Sequence, residues 1–243
     1  MRTRTIIVFA AVTAVVFVGC GTAADRSSET RSPSASTTPA PDAMAAGTLT
    51  AQAVVPEVAV FAAPDGSEAP ERVVPGVTAF DFPQSFLVLD ESGDFLHVVV
   101  PGRPNGATGW VQRSDVDVSR VDHELRVDLG ARTLTWLHDG QVRFETTAAI
   151  GSEEFPTPTG AFFVTDVLDS PDDGPYGNFA IGLSGRSVQL TDFAGGDGQI
   201  GIHGTNDPSS IGLAVSHGCV RVPNDVITQL ATSLPLGTPV TIV

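Results

Sequence analysis

The stretch HGTNDPSSIGLAVSHGCVRV, residues 203–222, decides how the rest of this sequence is interpreted. It holds His203, His217 and Cys219, and the only other cysteine is Cys20 near the N-terminus. A free thiol has a pKa of about 8.5, so it needs a neighbouring base to act as a nucleophile at neutral pH. Either histidine can supply that base. The segment therefore predicts a cysteine acyl-transfer site.

Two other interpretations of these residues stay open at this point. Cysteine is often a small buried apolar residue, and most histidines have structural roles. His203, His217 and Cys219 are also competent zinc ligands, but no CxxC or HExxH spacing supports a metal centre. We therefore expect neither a metal nor any other cofactor at this site.

The order of these residues resembles the signature of the YkuD-type L,D-transpeptidase catalytic domain. That signature is HGT, six residues and a glycine, followed by S-[HR]-G-C-[IV]-R and an apolar residue. The matching positions are His203, Gly204, Thr205, Gly212, Ser216, His217, Gly218, Cys219, Val220, Arg221 and Val222. The segment FPTPTGAFFV, residues 155–164, resembles the family's TPxGxF segment, and the resemblance extends over residues 123–243.

The resemblance implies a peptidoglycan L,D-transpeptidase that acts on stem peptides. Such enzymes cleave the bond after the diamino acid at position 3 of a stem tetrapeptide and release D-Ala. They then join the acyl group to the side-chain amine of another stem, which gives a 3→3 crosslink. The resemblance assigns Cys219 as the nucleophile, His203 as the general acid/base, and the Gly204 carbonyl as the group that orients His203. Members of the family are acylated by carbapenems, so we expect Cys219 to be acylated too.

The neighbours of Cys219 have roles that we state as expectations. The backbone N–H groups of Gly218 and Cys219 are candidates for stabilising the tetrahedral oxyanion, with His217 lining the pocket. Thr205 and Ser216 are candidate substrate-binding residues, although both also fit a role in holding the motif together.

Arg221 is the only cation of the segment and has two candidate partners. It can pair with a substrate carboxylate, or with a neighbouring acid such as Asp225 to hold the site together. The sequence position slightly favours the pairing with Asp225.

Two further functions remain compatible with the sequence. A hydrolase, or L,D-carboxypeptidase, would use the same site with water as the acceptor. A non-catalytic wall-binding lipoprotein would bind through residues 52–120, which are described below, and would keep Cys219 as a relic or a zinc ligand. The sequence does not tell which acceptor or which diamino acid is used.

The N-terminal 20 residues have the features of an export signal. Arg2 and Arg4 precede an apolar run over residues 6–18, which is typical of a signal peptide rather than a membrane span. The run ends in a sequence that resembles a lipoprotein processing site, with Cys20 as the lipidated residue. We expect a lipid-anchored protein at the extracytoplasmic face of the membrane, although an ordinary secretory signal, an uncleaved anchor or a Cys20–Cys219 disulfide are alternatives.

The next two segments differ sharply in composition. Residues 21–51 are rich in Ser, Thr, Ala and Pro, which is typical of a disordered linker. Residues 52–120 contain short β-type runs separated by turn residues, including Glu91–Asp94, and resemble an SH3-like domain. Such modules either bind cell-wall peptides or act as spacers. We predict that Trp110 belongs to the core of this small barrel.

Residues 121–243 are predicted to form a β-rich catalytic domain. Asp139-Gly140 between alternating runs predicts a hairpin, and further strands are expected over 161–167, 187–191, 199–203 and 239–243. The stretch 169–177 is a candidate substrate-gating loop. Pro223 is expected to open a helix that ends at Ser233. The predicted fold class is mostly β, with an SH3-like barrel followed by a catalytic domain with one or two short helices.

The charge of the chain excludes one class of partner. The sequence has no lysine and a formal net charge of −15. Nucleic-acid binding requires a basic surface, so we expect no nucleic-acid partner. We expect a monomer.

Overall fold

Strands make up most of the regular structure, and one α-helix accompanies them among the described residues. The structure is a computed structural model that describes residues 47–170, 174–192 and 196–243. The predicted signal peptide, Cys20 and nearly all of the predicted linker lie outside these ranges. Within them, every helix is too short or too polar to span a bilayer. The prediction of a mostly β chain is confirmed.

The first part of the described chain forms a five-stranded antiparallel sheet and a separate two-stranded sheet. The larger sheet has the strand order β6-β5-β4-β1-β7. Gly93, with φ of 56°, lies in the turn between β4 and β5, where the predicted hairpin is confirmed. The strands of this part are β1 (Thr48–Ala53), β2 (Glu57–Val60), β3 (Arg72–Pro75), β4 (Ser85–Ser92), β5 (Phe95–Val99), β6 (Thr108–Gln112) and β7 (Val116–Val121).

The first strand begins inside the range that composition assigns to the linker. β1 starts at Thr48 and pairs with both β4 and β7, although the linker was predicted to extend to residue 51. Thr50 and Ala51 are completely buried between these neighbours. Small and polar residues hide this strand in the sequence, because composition does not show that two partner strands will cover them.

Trp110 does not lie in the core, contrary to the prediction. Its neighbours Gly109 and Val111 are buried, and alternation along β6 places Trp110 on the opposite face of the sheet. There it is partly exposed and stacks on His97 of β5, with ring centroids 4.8 Å apart and planes 21° apart. A large aromatic side chain favours burial in general, but the strand register decides which face it occupies.

The second part forms an eight-stranded mixed sheet. The order is β10-β9-β8-β17-β12-β13-β14-β16, with parallel pairing between β17 and β8 and between β14 and β16. A separate two-stranded parallel sheet is formed by β11 and β15, and β15 ends at Ser216 of the motif. The strands are β8 (His123–Asp128), β9 (Thr133–His138), β10 (Gln141–Thr147), β11 (Ile150–Gly151), β12 (Gly160–Asp169), β13 (Phe179–Arg186), β14 (Gln199–His203), β15 (Ala214–Ser216), β16 (Val220–Arg221) and β17 (Pro239–Ile242).

The turn between β9 and β10 has the conformation that its sequence predicts. Asp139 and Gly140 have φ values of 51° and 69°, and both are therefore in the left-handed region. A two-residue turn with positive φ at both positions matches the twist of the strands that it joins. The predicted hairpin is confirmed.

One strand lies elsewhere than predicted. Residues 187–191 form no strand, and β13 occupies Phe179–Arg186 instead. The glycines in β13 conceal it in the sequence, because glycine is depleted in strands. They are needed for close packing, since a Cβ on Gly185 would lie 2.5 Å from the Phe162 ring and one on Gly182 would lie 2.7 Å from Asp166.

The helix α1 (Asn224–Ser233) covers one face of the second sheet. It begins directly after Pro223 and ends at Ser233, as predicted. Ile227 and Leu230 are completely buried in the same apolar cluster as the strands β13 and β14. The helix is thus fixed against the strands that carry the candidate site.

We expect Leu230→Ala to lower the free energy of unfolding by about 2–5 kcal/mol, because it leaves a cavity beneath α1. The neighbouring exposed Gln229→Ala should change it by less than about 0.5 kcal/mol. Urea denaturation of the two variants measures both values. Equal stabilities would contradict the packing of α1 on the sheet.

Candidate active site

The parallel pairing of β14 and β16 brings the two halves of the motif together. His203 lies opposite Arg221 in the register, and Ile202 lies opposite Val220. Cys219 immediately precedes β16 and therefore lies beside Gly201. Since alternate residues of a strand share one face, Cys219 and Arg221 are presented on the same side of β16, as are Gly201 and His203 on β14.

His203 is held as a neutral base. Its ring is 5% exposed, and Nδ1 lies 2.6 Å from the Gly204 carbonyl oxygen. Because a carbonyl only accepts, we assign the proton to Nδ1, which leaves Nε2 as the acceptor. Burial lowers the pKa of His203 to about 4, the bond to Gly204 opposes this shift, and the charge of Arg221 adds to it. The imidazole is therefore unprotonated at neutral pH.

Cys219 is a partly exposed free cysteine whose thiol is also neutral at rest. Burial raises the pKa of the thiol. A backbone hydrogen bond from Gly201 and the positive charge of Arg221 act in the opposite direction. The resting pair is thus thiol and imidazole rather than thiolate and imidazolium.

Comparison with known proteins agrees with this geometry. The profile of the YkuD family, described as the L,D-transpeptidase catalytic domain, matches residues 122–242. The chain is 34% identical over 145 residues to the putative L,D-transpeptidase YkuD of Bacillus subtilis, which covers 60% of this chain and 73% of that protein. The chain belongs to the L,D-transpeptidase family. Its resemblance in sequence to this family is confirmed.

Two further relatives cover similar parts of the chain. The putative L,D-transpeptidase YqjB of B. subtilis is 36% identical over 133 residues, covering 50% of this chain and 71% of that protein. Among solved structures, the catalytic domain of the E. faecium L,D-transpeptidase acylated by ertapenem is 28% identical, with a TM-score of 0.38. That match covers 50% of this chain and 97% of the other. L,D-transpeptidases are enzymes of the acyltransferase type that act on the cell wall.

Ser216 holds the turn that presents Cys219 in this member of the L,D-transpeptidase family. Its hydroxyl donates to the Cys219 carbonyl at 2.5 Å and accepts from the Gly218 N–H at 3.1 Å. Ser216 is 2% exposed, which supports a role in holding the motif together, and its substrate-binding role stays a prediction. The Gly218 N–H, which we expected to stabilise the oxyanion, is already engaged in the resting structure. Gly218 has φ of 114°, which explains the glycine at this position.

Thr205 also holds the motif together, and the expectation that it binds substrate stays a prediction. It is 3% exposed, and its hydroxyl accepts from the Asp207 N–H at 3.0 Å. Its backbone N–H donates to Asn224 Oδ1 at 2.8 Å, and its carbonyl accepts from Asn224 Nδ2 at 3.1 Å. The side chain of Asn224 at the start of α1 thus fixes the HGT segment, a role that sequence reasoning missed.

The upstream threonine of the FPTPTG segment also acts as scaffold. Thr157 is 5% exposed, and its hydroxyl accepts from the Gly151 N–H at 2.8 Å. Ala149 exchanges two backbone hydrogen bonds of 2.8 Å with Arg221, and the Ser152 N–H donates to the Ser216 carbonyl at 3.0 Å. The segment around residues 149–157 therefore supports the 216–221 turn from the side opposite to β14.

Arg221 does not form the expected ion pair with Asp225. Asp225 is exposed on α1, and no ion pair of Arg221 occurs among the described residues. The guanidinium charge instead acts on both His203 and Cys219. Its Nε is buried and lacks a hydrogen-bond partner in the described part of the chain. A buried donor without a partner is costly.

Two aromatic side chains border the site without having been predicted. Tyr176 contacts the His203 ring edge-on, with centroids 4.8 Å apart. Phe155 contacts the exposed His217, with centroids 5.0 Å apart. Tyr176 belongs to the predicted gating loop over 169–177, and it is the only tyrosine of the sequence. A single tyrosine in the predicted gating loop is the signal that the sequence offered. Only the fold shows that the tyrosine ring contacts the His203 ring.

Of the residues that were considered as zinc ligands, His203 has one ring nitrogen engaged by a backbone carbonyl. His203 uses Nδ1 for Gly204, and the potential ligand group within the described ranges is a different one, formed by Asp122, His123 and His138. There the Trp136 indole N–H donates to His123 Nδ1 at 3.0 Å. A neutral imidazole that accepts at Nδ1 carries its proton on Nε2, so that nitrogen is not available to a metal. We assign no metal to either group.

The low pKa of His203 predicts the pH dependence of acylation. The rate of Cys219 acylation by a carbapenem should fall as the pH drops through about 4, because the protonated ring no longer accepts the thiol proton. Stopped-flow absorbance measures this rate, with circular dichroism checking that the chain stays folded. A midpoint near the ordinary histidine value of about 6.5 would indicate a solvated base instead.

Proposed function

We propose that the chain is a peptidoglycan L,D-transpeptidase that forms 3→3 crosslinks through a thioester on Cys219. The observation that carries the proposal is the neutral His203, whose Nδ1–H is bonded to Gly204 and whose strand lies beside the nucleophile. This arrangement supplies a base with the correct free nitrogen without the carboxylate that usually orients a catalytic histidine.

The first half-reaction releases D-Ala. Cys219 Sγ attacks the carbonyl carbon of the third residue of a stem tetrapeptide, and its proton passes to His203 Nε2. The tetrahedral intermediate collapses when the bond to the D-Ala nitrogen breaks, and that nitrogen takes the proton from His203. The products are free D-Ala and a thioester on Cys219.

The second half-reaction forms the crosslink. The side-chain amine of another stem attacks the thioester, and His203 takes the proton that the amine loses. The C–S bond then breaks, an amide forms, and the sulfur regains a proton from His203. Because the Gly218 N–H is engaged by Ser216, we assign the oxyanion to the Cys219 N–H. His217 is exposed beside the turn, where it lines the entrance.

Arg221 binds the terminal carboxylate of the donor stem in this proposal. The unpartnered Nε and the influence of the guanidinium on both catalytic groups support this assignment. A carboxylate also neutralises the cation as the reaction begins, and a charge-assisted hydrogen bond contributes about 1.5–3 kcal/mol.

The remaining domain assignments are proposals as well. The five-stranded sheet and the β2–β3 pair support an SH3-like module over about residues 52–120, extended by the start of β1. We propose a signal peptide over residues 1–20, lipidation at Cys20 and a linker that ends near residue 47, so that the catalytic domain over 121–243 works at the extracytoplasmic face. We propose that the protein works as a monomer.

The nucleophile and the base can be tested on the full chain. We expect Cys219→Ala to abolish the carbapenem adduct on the 219 peptide and His203→Ala to slow its formation by about 10²–10⁴-fold. His97→Ala, a histidine of the first sheet, is the matched control and should react normally. Adduct mass is measured by peptide mass spectrometry. An adduct on another residue would refute the assignment.

The group that accepts the acyl chain from Cys219, either a stem amine or water, distinguishes a transferase from a hydrolase. A tetrapeptide substrate is incubated with excess acceptor stem, and the products are separated by liquid chromatography. Crosslinked dimers together with free D-Ala support the proposal. D-Ala without dimers identifies an L,D-carboxypeptidase, and wall binding by Cys219→Ala without any turnover of the wild type identifies a binding protein.

The proposed binding of a substrate carboxylate by Arg221 can be tested by comparing two substrates, one with a free and one with an amidated terminal carboxylate. We expect Arg221→Met to lower kcat/KM for a tetrapeptide by about 10–100-fold, because it loses a charge-assisted contact. The loss should be much smaller for a substrate whose terminal carboxylate is amidated. Arg126→Met, which removes a cation paired with Glu124 at 2.6 Å, is the control. Equal losses on both substrates would exclude carboxylate binding.

A further inference from the structure

The loop that joins β5 and β6 reaches from the first sheet into the catalytic domain. Its Arg103 donates hydrogen bonds to three backbone carbonyls, those of Ser187 at 2.8 Å, Leu190 at 3.0 Å and Asp197 at 2.5 Å. All three carbonyls belong to the connection between β13 and β14. We call the part of the chain from β1 to β7, residues 48–121, the first module. One of its side chains therefore holds both ends of this connection.

The same loop also fixes the end of β13. The amide of Asn105 makes two bonds of 2.8 Å with the backbone of Arg186, one to its carbonyl and one from its N–H. The Gly102 N–H donates to the Ser184 carbonyl at 3.0 Å. Arg186 in turn donates to the Asp197 carboxylate at 2.6 Å, which links the last residue of β13 to the residues before β14.

A second anchor lies at the first residue of β14. Thr78 of the first module donates to Asp166, a carboxylate that is only 1% exposed, at 2.5 Å. The other oxygen of Asp166 accepts from Thr165 at 2.7 Å and from the amide of Gln199 at 2.9 Å. The buried carboxylate therefore joins a hydroxyl of the first module to the side chain that begins β14.

β14 connects these anchored residues directly to the catalytic groups. It begins at Gln199, its Gly201 hydrogen-bonds the thiol of Cys219, and it ends at His203. With a rise of about 3.3 Å per residue, the anchor lies roughly 13 Å from the base along one continuous strand. The buried cluster of Leu87, Val99 and Phe163 adds apolar contact between the two sheets close to these anchors.

We propose that Arg103 is a positioning residue for catalysis, which fixes the start of β14 and through it the placement of His203 and Gly201 relative to Cys219. This proposal rests on the proposed function of Cys219 and His203. The first module is then a structural part of the active site, in addition to any role in wall binding or spacing. A catalytic pair tolerates only a fraction of an ångström of displacement, and a misplacement of 1 Å from a distant substitution costs about 10²-fold in rate.

The test uses Arg103→Met in the full chain, with Arg113→Met as the matched control. Arg113 lies in the same module but makes a single surface ion pair, at 3.4 Å from Glu91, with both side chains about half exposed. We expect Arg103→Met to slow carbapenem acylation of folded protein by about tenfold or more, and Arg113→Met to change it by less than twofold. Each rate is measured well below the melting temperature of that variant.

A second readout reports the position of β14 independently of chemistry. Hydrogen exchange at the amides of residues 199–203 should accelerate in Arg103→Met and stay unchanged in Arg113→Met. Thr78→Val, which removes only the hydroxyl that contacts Asp166, is the milder variant and should show the same effect to a smaller degree. Arg103→Lys, which replaces the two donating nitrogens by one, keeps the test of Arg103 decisive if Arg103→Met fails to fold.

The outcomes separate this inference from the proposed function. A wild type that is not acylated refutes the proposed function, and the exchange rates of residues 199–203 then decide the positioning role alone. An acylated wild type with normal rates in folded Arg103→Met and Thr78→Val refutes the positioning role and leaves the proposed function intact. A lower melting temperature with unchanged acylation and unchanged exchange at β14 identifies Arg103 as a stabilising residue only.

Discussion

The parallel pairing of β14 with β16 is the constraint on which the site depends. Neither short strand carries a complete catalytic unit, and their register alone sets Cys219 beside Gly201 and Arg221 opposite His203. Supports on both sides maintain this register. The segment around Ala149 pairs with Arg221 on one side, and the contacts of Asn224 with Thr205 fix the chain after His203 on the other.

Desolvation governs the electrostatics of the paired strands. Burial disfavours the charged forms of both His203 and Cys219, so both side chains are neutral in the resting structure. The guanidinium of Arg221 is the one permanent charge among these three groups. It favours the thiolate form of Cys219 and disfavours the imidazolium form of His203.

The first sheet takes part in the same architecture. Side chains of its loops bond to the backbone at both ends of the β13–β14 connection and to the buried Asp166. These contacts involve specific polar groups in addition to apolar burial, which gives the interface a defined geometry. A module that merely spaced the catalytic domain from the membrane would not require bonds to the end of β13 and to the connection that leads into β14.

The sequence by itself determined the family, the Asp139-Gly140 hairpin and the helix after Pro223, and it supplied the proposal that Cys219 and His203 are the nucleophile and the base. These features depend on local chemistry, because turn dihedrals, the start of a helix and a contiguous motif are properties of neighbouring residues. Only the tertiary structure decided the rest. It gave Ser216 and Thr205 their hydrogen-bond partners within the motif, separated Arg221 from Asp225, turned Trp110 outward, and formed β13 where glycines concealed a strand. Each of these outcomes depends on which distant backbone lies opposite a residue, and strand register is set by packing over the whole sheet rather than by the residues of one strand.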